Sequence, residues 1–280
     1  MSSARAAKTR LKRAARAAAA ALGPSFPGAP AAARILTYHS IGYRAHEMNV
    51  TPEAFADQMA WLASHTNVIP LAEAATGGGG VALTFDDGYQ DNFIHALPIL
   101  ERYGFPATIF VVSGCLGAAL PGDLDSQTGR ILSPEEIQTL RQRGIAIGGH
   151  TRTHPRLSAL SPGAQSAEIG GCKADLEAVL GETIDAFAYP YGSALDYDAS
   201  SRETAIRAGF SVICSNRYGP VYPEDAPLDL RRIWIDSTDT LASFEAKVSG
   251  RLDLLRIQDS AWGIRARRLL NTVLAATARK

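Results

Sequence analysis

Two adjacent carboxylates, Asp86 and Asp87, stand at the end of an apolar run, Val81–Phe85, and are followed by Gly88. Successive side chains of an extended chain point in opposite directions, so one carboxylate can bind a metal ion while its neighbour faces a water molecule. An Asp-Asp-Gly turn on its own is common in ordinary surface loops. Two carboxylates seldom end a buried strand without a partner, however, and this strand therefore predicts a partner group elsewhere in the chain.

The best candidates for that partner are two histidines four residues apart, His150 and His154, which follow the apolar run 145–147. If the segment coils, both imidazoles can face one point. Two imidazole nitrogens and one carboxylate form a set of three ligands that leaves a position for water, as in catalytic zinc sites. A single histidine would more often be a hydrogen-bonded structural residue. The pair, together with the carboxylates on another strand, favours a catalytic metal site.

A third segment, 186–192, is an apolar run that ends in Tyr189, Pro190, Tyr191 and Gly192. Aromatic side chains and a Pro-Gly turn at a strand end would form a rigid, apolar wall beside a site. An equally good interpretation of this segment alone is a packed corner between a strand and a loop.

These segments belong to a regular alternation of short apolar runs and helix-like segments. The strand-like runs are 35–38, 81–85, 107–112, 145–147, 186–189, 211–214 and 233–235, and the helix-like segments lie near 53–64, 90–103, 134–143, 163–180 and 198–208. Helix starts are recognised at Ser133 and Ser161, each followed by proline. Glycines suited to helix ends follow the later segments at Gly104, Gly144, Gly181 and Gly209. Strands separated by helices predict a parallel sheet. Propensity does not decide between an open sheet and a closed barrel.

The three segments together resemble the polysaccharide deacetylase superfamily, also called the NodB-homology or carbohydrate esterase family 4 domain. The T-F-D-D-G, H-T-x-T-H and F-A-Y-P-Y-G sequences at 84–88, 150–154 and 187–192 correspond to the first three motifs of that family, in order. The resemblance spans roughly residues 34 to 236. It implies an α/β fold, a distorted (β/α)7–8 barrel, usually with a zinc ion, that hydrolyses N- or O-acetyl groups on glycans. The placement of the motifs agrees with a barrel, because its catalytic groups gather where the strands end.

Carried over motif by motif, the resemblance assigns a role to each of these residues. The divalent metal, most often Zn²⁺, is expected to be held by Asp87, His150 and His154. Asp86 is expected to act as the general base that takes a proton from the attacking water. The backbone N–H of Tyr191, next to Pro190, is expected to donate a hydrogen bond to the tetrahedral oxyanion.

The chain departs from the family pattern at two places. Where many members have an arginine that pairs with the base, this chain has Ala188, and Arg232 is our candidate replacement; a solvent-exposed arginine is the alternative. The late Leu-x-His motif that usually supplies the general acid is absent, since no histidine follows His154. Among the other histidines only His39 directly follows an apolar run. We predict that it is the acid, with a pKa raised by the nearby carboxylates. The alternative is a histidine that is hydrogen-bonded at the strand end and orients Asp86.

The same departures resemble the branch of the family that includes poly-N-acetylglucosamine deacetylases and other exopolysaccharide-associated members. The expected partner is therefore an acetylated glycan substrate, either a β-linked N-acetylhexosamine polymer or its lipid-linked precursor, with peptidoglycan as an alternative. Two further hypotheses stay open. One is a metal-free hydrolase of the same fold that acts on ureides or formamides, although such relatives tend to lose the metal histidines. The other is an inactive glycan-binding scaffold, although adjacent carboxylates that repel each other give such a module no advantage.

We divide the chain into a basic, Ala-rich tail at 1–33, a barrel at 34–236 and a helical C-terminal extension at 237–280. In the extension, apolar residues at helical spacing predict one amphipathic helix over 240–257. The last segment, 262–280, is basic and amphipathic. Such a segment usually packs on its own domain; the alternative is that the basic termini make a peripheral contact with an anionic membrane surface.

Composition bounds the remaining possibilities. The chain has 28 basic and 28 acidic residues, and this balance gives no reason to expect a nucleic-acid partner. The three cysteines show neither metal-binding nor disulfide spacing, and we expect them to be buried and reduced. The weakly apolar run 17–22 is a poor signal sequence, so we expect a cytoplasmic protein or one at the inner membrane face, with export as the alternative. Nothing in the composition predicts an oligomeric state.

Overall fold

The computed structural model describes residues 33–120, 129–222, 224–225, 227–259 and 263–264. Its strands are β1 (Arg34–Tyr38), β2 (Ser40–Ile41), β3 (Asn49–Val50), β4 (Val81–Phe85), β5 (Thr108–Val111), β6 (Ala146–Gly149), β7 (Ala186–Ala188), β8 (Val212–Tyr218) and β9 (Leu230–Trp234). Apart from the small β2–β3 pair, they form a closed parallel barrel of seven strands in chain order. Leu36 of β1 pairs with Ile233 of β9 and closes the ring. The predicted barrel is confirmed, and each predicted strand-like run overlaps one of its strands.

The helices are α1 (Pro52–His65), α2 (Leu71–Ala75), α3 (Leu97–Tyr103), α4 (Pro134–Gln142), α5 (Pro162–Leu180), α6 (Ala199–Arg207) and α7 (Leu241–Val248). The predicted helix starts are confirmed. Ser133 forms a capping box with Glu136 at the start of α4, and Ser161 accepts a hydrogen bond from the backbone N–H of Ala164 at the start of α5. The four glycines predicted at helix ends all have positive φ.

The segment predicted as one helix over 90–103 consists of a π-helical turn, Asn92–Ala96, followed by α3. Pro98, in the first turn of α3, has no N–H with which to continue an α-helical ladder from the preceding turn. The elements β2, β3 and α2, of two to five residues each, were not predicted, because runs this short carry no periodic signal.

The barrel interior holds one large ring among small side chains. Phe110 of β5 lies against Gly148 of β6, where an added Cβ would come within 2.6 Å of the ring. Ala188 and other small or medium apolar side chains complete this inner cluster. Alternate residues of the strands face outward and pack under the helices, as where Tyr38 meets Phe55 of α1 at a ring-centroid distance of 5.1 Å. The interior is therefore a packed core, and the site can only lie above it, where the strands end.

The C-terminal extension differs from the prediction of a single helix over 240–257. Helix α7 ends at Val248, and a 3₁₀ helix follows at Asp253–Asp259. Between them Gly250 has a φ of 82°, and a Cβ there would lie 2.6 Å from the guanidinium of Arg34. Arg34 in turn binds both carboxylate oxygens of Asp253, at 2.8 and 2.9 Å. The continuous helix was wrong because this tertiary ion pair turns the chain back onto β1.

The predicted basic tail 1–33 lies outside the described residues except for Ala33, and the basic segment 262–280 except for residues 263–264. No helix in the described part of the chain is long and apolar enough to cross a membrane. All three cysteines are buried and unpaired, as predicted.

Candidate metal centre and active site

The predicted site residues come together where the barrel strands end. They arrive from five different strands: His39 follows β1, Asp86 and Asp87 follow β4, His150 follows β6, Tyr191 lies shortly after β7, and Arg232 lies within β9. All strands of a parallel barrel end at the same mouth, so segments far apart in the chain deliver their side chains to one place.

The three predicted metal ligands converge. Oδ1 of Asp87 lies 3.5 Å from Nε2 of His150 and 3.2 Å from Nε2 of His154, and one ligand atom from each residue lies within 4.8 Å of the others. Nδ1 of His150 is 2.8 Å from the carbonyl oxygen of Ala188. A carbonyl only accepts hydrogen bonds, so Nδ1 carries the proton and Nε2 presents a lone pair. Both that Nε2 and Oδ1 of Asp87 are buried without a hydrogen-bond partner among the described residues.

The electrostatics of this group favour a cation at its centre. Burial disfavours the charge on Asp87, yet the neighbouring His154 and His150 hold the pKa of its carboxyl well below the usual range. Burial likewise opposes a charge on His154, but the Asp87 carboxylate outweighs it and raises the pKa of that imidazole. Unpaired lone pairs facing one another are costly in a buried site unless a positive charge lies between them. The donor set and its unpaired buried atoms therefore fit a divalent metal ion.

Backbone strain is concentrated at the same place. Four non-glycine residues have positive φ in the described part of the chain, and all belong to the predicted motifs: Asp87 (70°), Thr151 (66°), His154 (59°) and Tyr191 (59°). Residues held in such sparsely populated regions cost on the order of 1–3 kcal/mol each. In an extended strand Asp87 would point the opposite way from Asp86. The left-handed turn is what brings its carboxylate to the histidines.

Asp86 forms a buried ion pair with Arg232. Both guanidinium NH₂ groups donate to the carboxylate, at 2.7 Å each, and Nε donates to the carbonyl oxygen of Ser215 at 2.9 Å. Arg232 is 0% exposed, so the alternative of a solvent-exposed arginine is wrong. Burial raises the pKa of Asp86, but Arg232 outweighs this and the pKa is lowered overall. The carboxylate is thus ionised at neutral pH.

His39 lies at the end of β1, and its Nδ1 is buried without a hydrogen-bond partner in the described part of the chain. The expected raised pKa is wrong. Burial favours the neutral imidazole more strongly than Asp87 and Asp86 favour the cation, and Arg232 opposes the cation as well, so the pKa of His39 is lowered. The carboxylates could be recognised in the sequence, whereas the burial and the arginine that cancel their effect could not.

The ring of Tyr191 lies beside the predicted metal ligands. Its centroid is 4.8 Å from that of His154. The guanidinium of Arg156 lies over the Tyr191 ring, 4.3 Å from its centroid. Asn216, which belongs to none of the predicted motifs, donates from Nδ2 to the carbonyl oxygen of Tyr191 at 3.2 Å. The preceding Pro190 is buried. The backbone N–H of Tyr191 makes no hydrogen bond to any described residue, so a donor is free beside the ligand set.

Comparison with known families decides what this arrangement belongs to. A family model described as polysaccharide deacetylase matches residues 73–213, half of the chain. The chain belongs to the polysaccharide deacetylase family. It is accordingly a hydrolase. Deacetylases of this family use a divalent metal, and the group formed by Asp87, His150 and His154 could bind one.

Individual relatives agree with the family. The deacetylase is 25% identical over 228 residues to YxkH of Bacillus subtilis (strain 168), named as a polysaccharide deacetylase, which covers 78% of this chain and 77% of that protein. It is 27% identical over 136 residues to the poly-β-1,6-N-acetyl-D-glucosamine N-deacetylase of Escherichia coli (strain K12), which covers 41% of this chain and 20% of that protein. Among solved structures, IcaB from Ammonifex degensii matches with a TM-score of 0.67 at 25% identity, over 79% of this chain and 96% of that one.

The side chains that hold the histidine motif of this deacetylase in place could not be recognised from the motifs alone. Glu168 and Asp175 of α5 accept hydrogen bonds from Thr153 and Arg152, respectively. The one signal that could have indicated them is the Gly-Gly pair at 170–171, in the middle of a segment otherwise suited to a long helix. Glycine there costs about 1 kcal/mol per residue relative to alanine, which calls for a packing reason.

Proposed function

We propose that this deacetylase removes N-acetyl groups from an N-acetylhexosamine-containing glycan, an exopolysaccharide or its precursor, at a zinc centre held by Asp87, His150 and His154. The observation that carries the proposal is the buried, ion-paired carboxylate of Asp86, which is next in the chain to the convergent ligand set. Amide hydrolysis at a metal needs both an ionised base and a ligand set with a position left for water. The barrel mouth supplies both.

The ligands suit zinc better than a hard cation. Two imidazole nitrogens with one carboxylate are typical of catalytic zinc sites, whereas magnesium and calcium prefer oxygen ligands only. When bound, zinc would supply Lewis-acid polarisation of the amide and a lowered pKa for water. The carbonyl of Ala188 holds the imidazole of His150 in the tautomer whose Nε2 can act as ligand.

Asp86 would take the proton of the attacking water. Arg232 occupies one lone pair of each carboxylate oxygen, and the remaining lone pairs are available to accept from water. Because the lowered pKa keeps the group ionised, it is in the accepting form over the whole neutral range. Arg232 in this way takes the place of the family arginine that Ala188 replaces.

Two further groups complete the proposed reaction. The backbone N–H of Tyr191, fixed by the buried Pro190 before it and by Asn216 at its carbonyl, would donate to the oxyanion that develops on the acetyl oxygen. His39 is the proposed acid for the leaving amine. Because burial lowers its pKa, only the fraction of His39 that carries a proton at the working pH can protonate the amine.

The substrate class rests on the relatives. The Escherichia coli protein is named for poly-β-1,6-N-acetyl-D-glucosamine, and the retained metal histidines weigh against a metal-free ureide or formamide hydrolase. The ionised Asp86 beside the ligand set weighs against an inactive scaffold, because a binding module gains nothing from two adjacent buried carboxylates.

The proposal is tested by acetate release across four kinds of compound: β-1,4- and β-1,6-linked N-acetylglucosamine oligomers, peptidoglycan fragments, nucleotide sugars and small formamides. We expect the highest kcat/KM on an oligomer, loss of activity on chelation and its return with Zn²⁺. Asp86→Asn is the matched inactive control. A preference for peptidoglycan fragments would replace the exopolysaccharide with the alternative glycan, and chelator-resistant release from formamides would overturn the proposal.

A further inference from the structure

The three residues between the metal histidines, 151–153, are called the histidine loop below. The loop is bounded by left-handed backbone, with a φ of 66° at Thr151 and 59° at His154. It contains no glycine, so nothing in its own composition favours that conformation. One local hydrogen bond stabilises this conformation, from the backbone N–H of His154 to Oγ1 of Thr151 at 3.1 Å. The remaining support comes from outside the loop, and most of it from helix α5.

Glu168 of α5 makes the most extensive of these contacts. Its Oε2 accepts from the backbone N–H groups of Arg152 and Thr153, both at 2.9 Å, and its Oε1 accepts from Oγ1 of Thr153 at 2.7 Å. Successive backbone N–H groups next to a left-handed residue form a concave anion-binding nest, and here a side-chain carboxylate fills it. Hydrogen bonds to an ionised acceptor are about twice as strong as neutral ones, so this contact can oppose the strain of the loop.

A second contact on the same face of α5 supports the first. Arg152 donates to both carboxylate oxygens of Asp175, at 2.8 and 2.6 Å. These side chains are 44% and 32% exposed, so the ion pair alone contributes little. The Arg152 side chain, however, crosses α5 directly over Gly171. A Cβ on Gly171 would lie 2.6 Å from Nε of Arg152, whereas a Cβ on Gly170 would meet nothing within 4 Å. The close passage of the Arg152 side chain is therefore the packing reason for a glycine at position 171.

We propose that Glu168 is a positioning residue that sets the metal affinity of the site by holding the histidine loop, with Gly171 and Asp175 supporting it. The inference rests on the metal centre proposed above and adds a determinant outside the ligand set. Without Glu168, two backbone N–H groups lose their acceptor and the loop is free to leave its left-handed conformation. His154 then moves away from Asp87. His150 keeps its place, since the carbonyl of Ala188 holds its ring independently.

The test measures zinc binding without substrate. Apo protein would compete with a chromophoric chelator for Zn²⁺, which gives Kd directly. We expect Glu168→Ala to weaken zinc binding about 10- to 100-fold, the usual effect of losing a group that orients a ligand. Glu168→Gln keeps the shape and one acceptor oxygen, so its Kd should fall between those of wild type and Glu168→Ala. Glu177→Gln is the matched control, because Glu177 lies on the same helix but bonds Lys173 and Ile184 instead, and its Kd should equal that of wild type.

The glycine pair provides a second, independent comparison. Gly170→Ala should raise the Tm, since alanine is the better helix former, and leave the zinc Kd unchanged. Gly171→Ala should weaken zinc binding, because it displaces Arg152. The visible absorption of the Co²⁺-loaded protein, which reports ligand number and geometry, should change in Gly171→Ala and Glu168→Gln but not in the two controls. A purely structural role for Glu168 would lower the Tm of the apo protein and leave this spectrum alone.

A Glu168→Ala protein that binds Zn²⁺ within about three-fold of wild type, a Glu168→Gln protein with the same Kd as wild type, or equal Kd values for the two glycine variants, would overturn the inference while leaving the metal centre intact. If Glu168→Ala does not fold, Glu168→Gln and Gly171→Ala decide the question. Wild-type protein that binds no zinc would overturn the proposed metal centre, and this inference with it.

Discussion

Replacing Arg232 by methionine removes one half of the buried ion pair with Asp86. The guanidinium is 0% exposed and binds both oxygens of a carboxylate that is itself buried. Methionine fills a similar volume but leaves the charge on Asp86 without its counter-ion. Breaking a buried pair in this way costs about 3–5 kcal/mol, because an uncompensated charge stays in the interior. For a protein of this size that is a fall in Tm of roughly 6–20 °C.

The pH dependence follows from the direction of the pKa. In the wild type, the pKa of Asp86 is lower in the folded protein than in the unfolded chain. Its contribution to stability is therefore fully present above the pKa of an unfolded aspartate, about 3.9, and is lost as the pH falls through the pKa of the folded state. In Arg232→Met the main opponent of burial is gone and only the weaker influence of His150 and His39 remains, so the pKa of Asp86 rises. The variant is therefore most destabilised at neutral and alkaline pH, and the gap narrows in acid. The acid limb of its kcat profile should move to higher pH, since the base is now protonated over a wider range.

Urea unfolding of the apo proteins at pH 5 and pH 8 measures both effects. Arg207→Met is the matched control, because that arginine is 65% exposed and its pair with Glu203 spans 3.7 Å; its stability should change by no more than about 0.5 kcal/mol. The double variant Asp86→Asn/Arg232→Met lacks both charges of this pair and should be more stable than Arg232→Met alone. A loss below about 1 kcal/mol at pH 8, or an equal loss at both pH values, would show that the ion pair does not control the ionisation of Asp86.

The remaining predictions concern the other site residues and the N-terminus. Asp87→Ala or His150→Ala should lower zinc content and activity together, since three ligands leave little redundancy; stoichiometric zinc in both variants would contradict the assignment. Asp86→Asn should retain zinc and turn over about 10²- to 10⁴-fold more slowly, and a near-native kcat would exclude it as base. His39→Ala should keep zinc but lose the alkaline limb of the kcat profile, which burial places below the ordinary histidine pKa of about 6.5; a surviving limb would exclude His39 as acid. Mass spectrometry of the native protein should find residues 5–16 attached, whereas a mature form beginning near residue 34 would establish export.

Much of the fold and the ligand set was readable from local sequence. Strands and helices can be recognised from the periodicity of apolar residues and from capping residues such as Ser133. A parallel barrel then places the carboxyl ends of all its strands at one mouth. The proposed ligands Asp87, His150 and His154 follow strands at short, fixed offsets, so their convergence was predictable once the barrel was. The break in the predicted helix 240–257 was not predictable, because it depends on the ion pair between Asp253 and Arg34 of β1, which lies at the other end of the barrel sequence.

Only the tertiary structure decided what surrounds those ligands. Arg232 and Asp86 are 146 residues apart and meet because β9 closes the barrel against β1, an event with no local signal. Nδ1 of His39 is buried in the folded chain, and desolvation reversed the expected direction of its pKa. The hold of Glu168 on the histidine loop depends on where α5 docks. Motif residues are specified by spacing along the chain, whereas their protonation and orientation are set by desolvation and by partners that folding brings from distant segments.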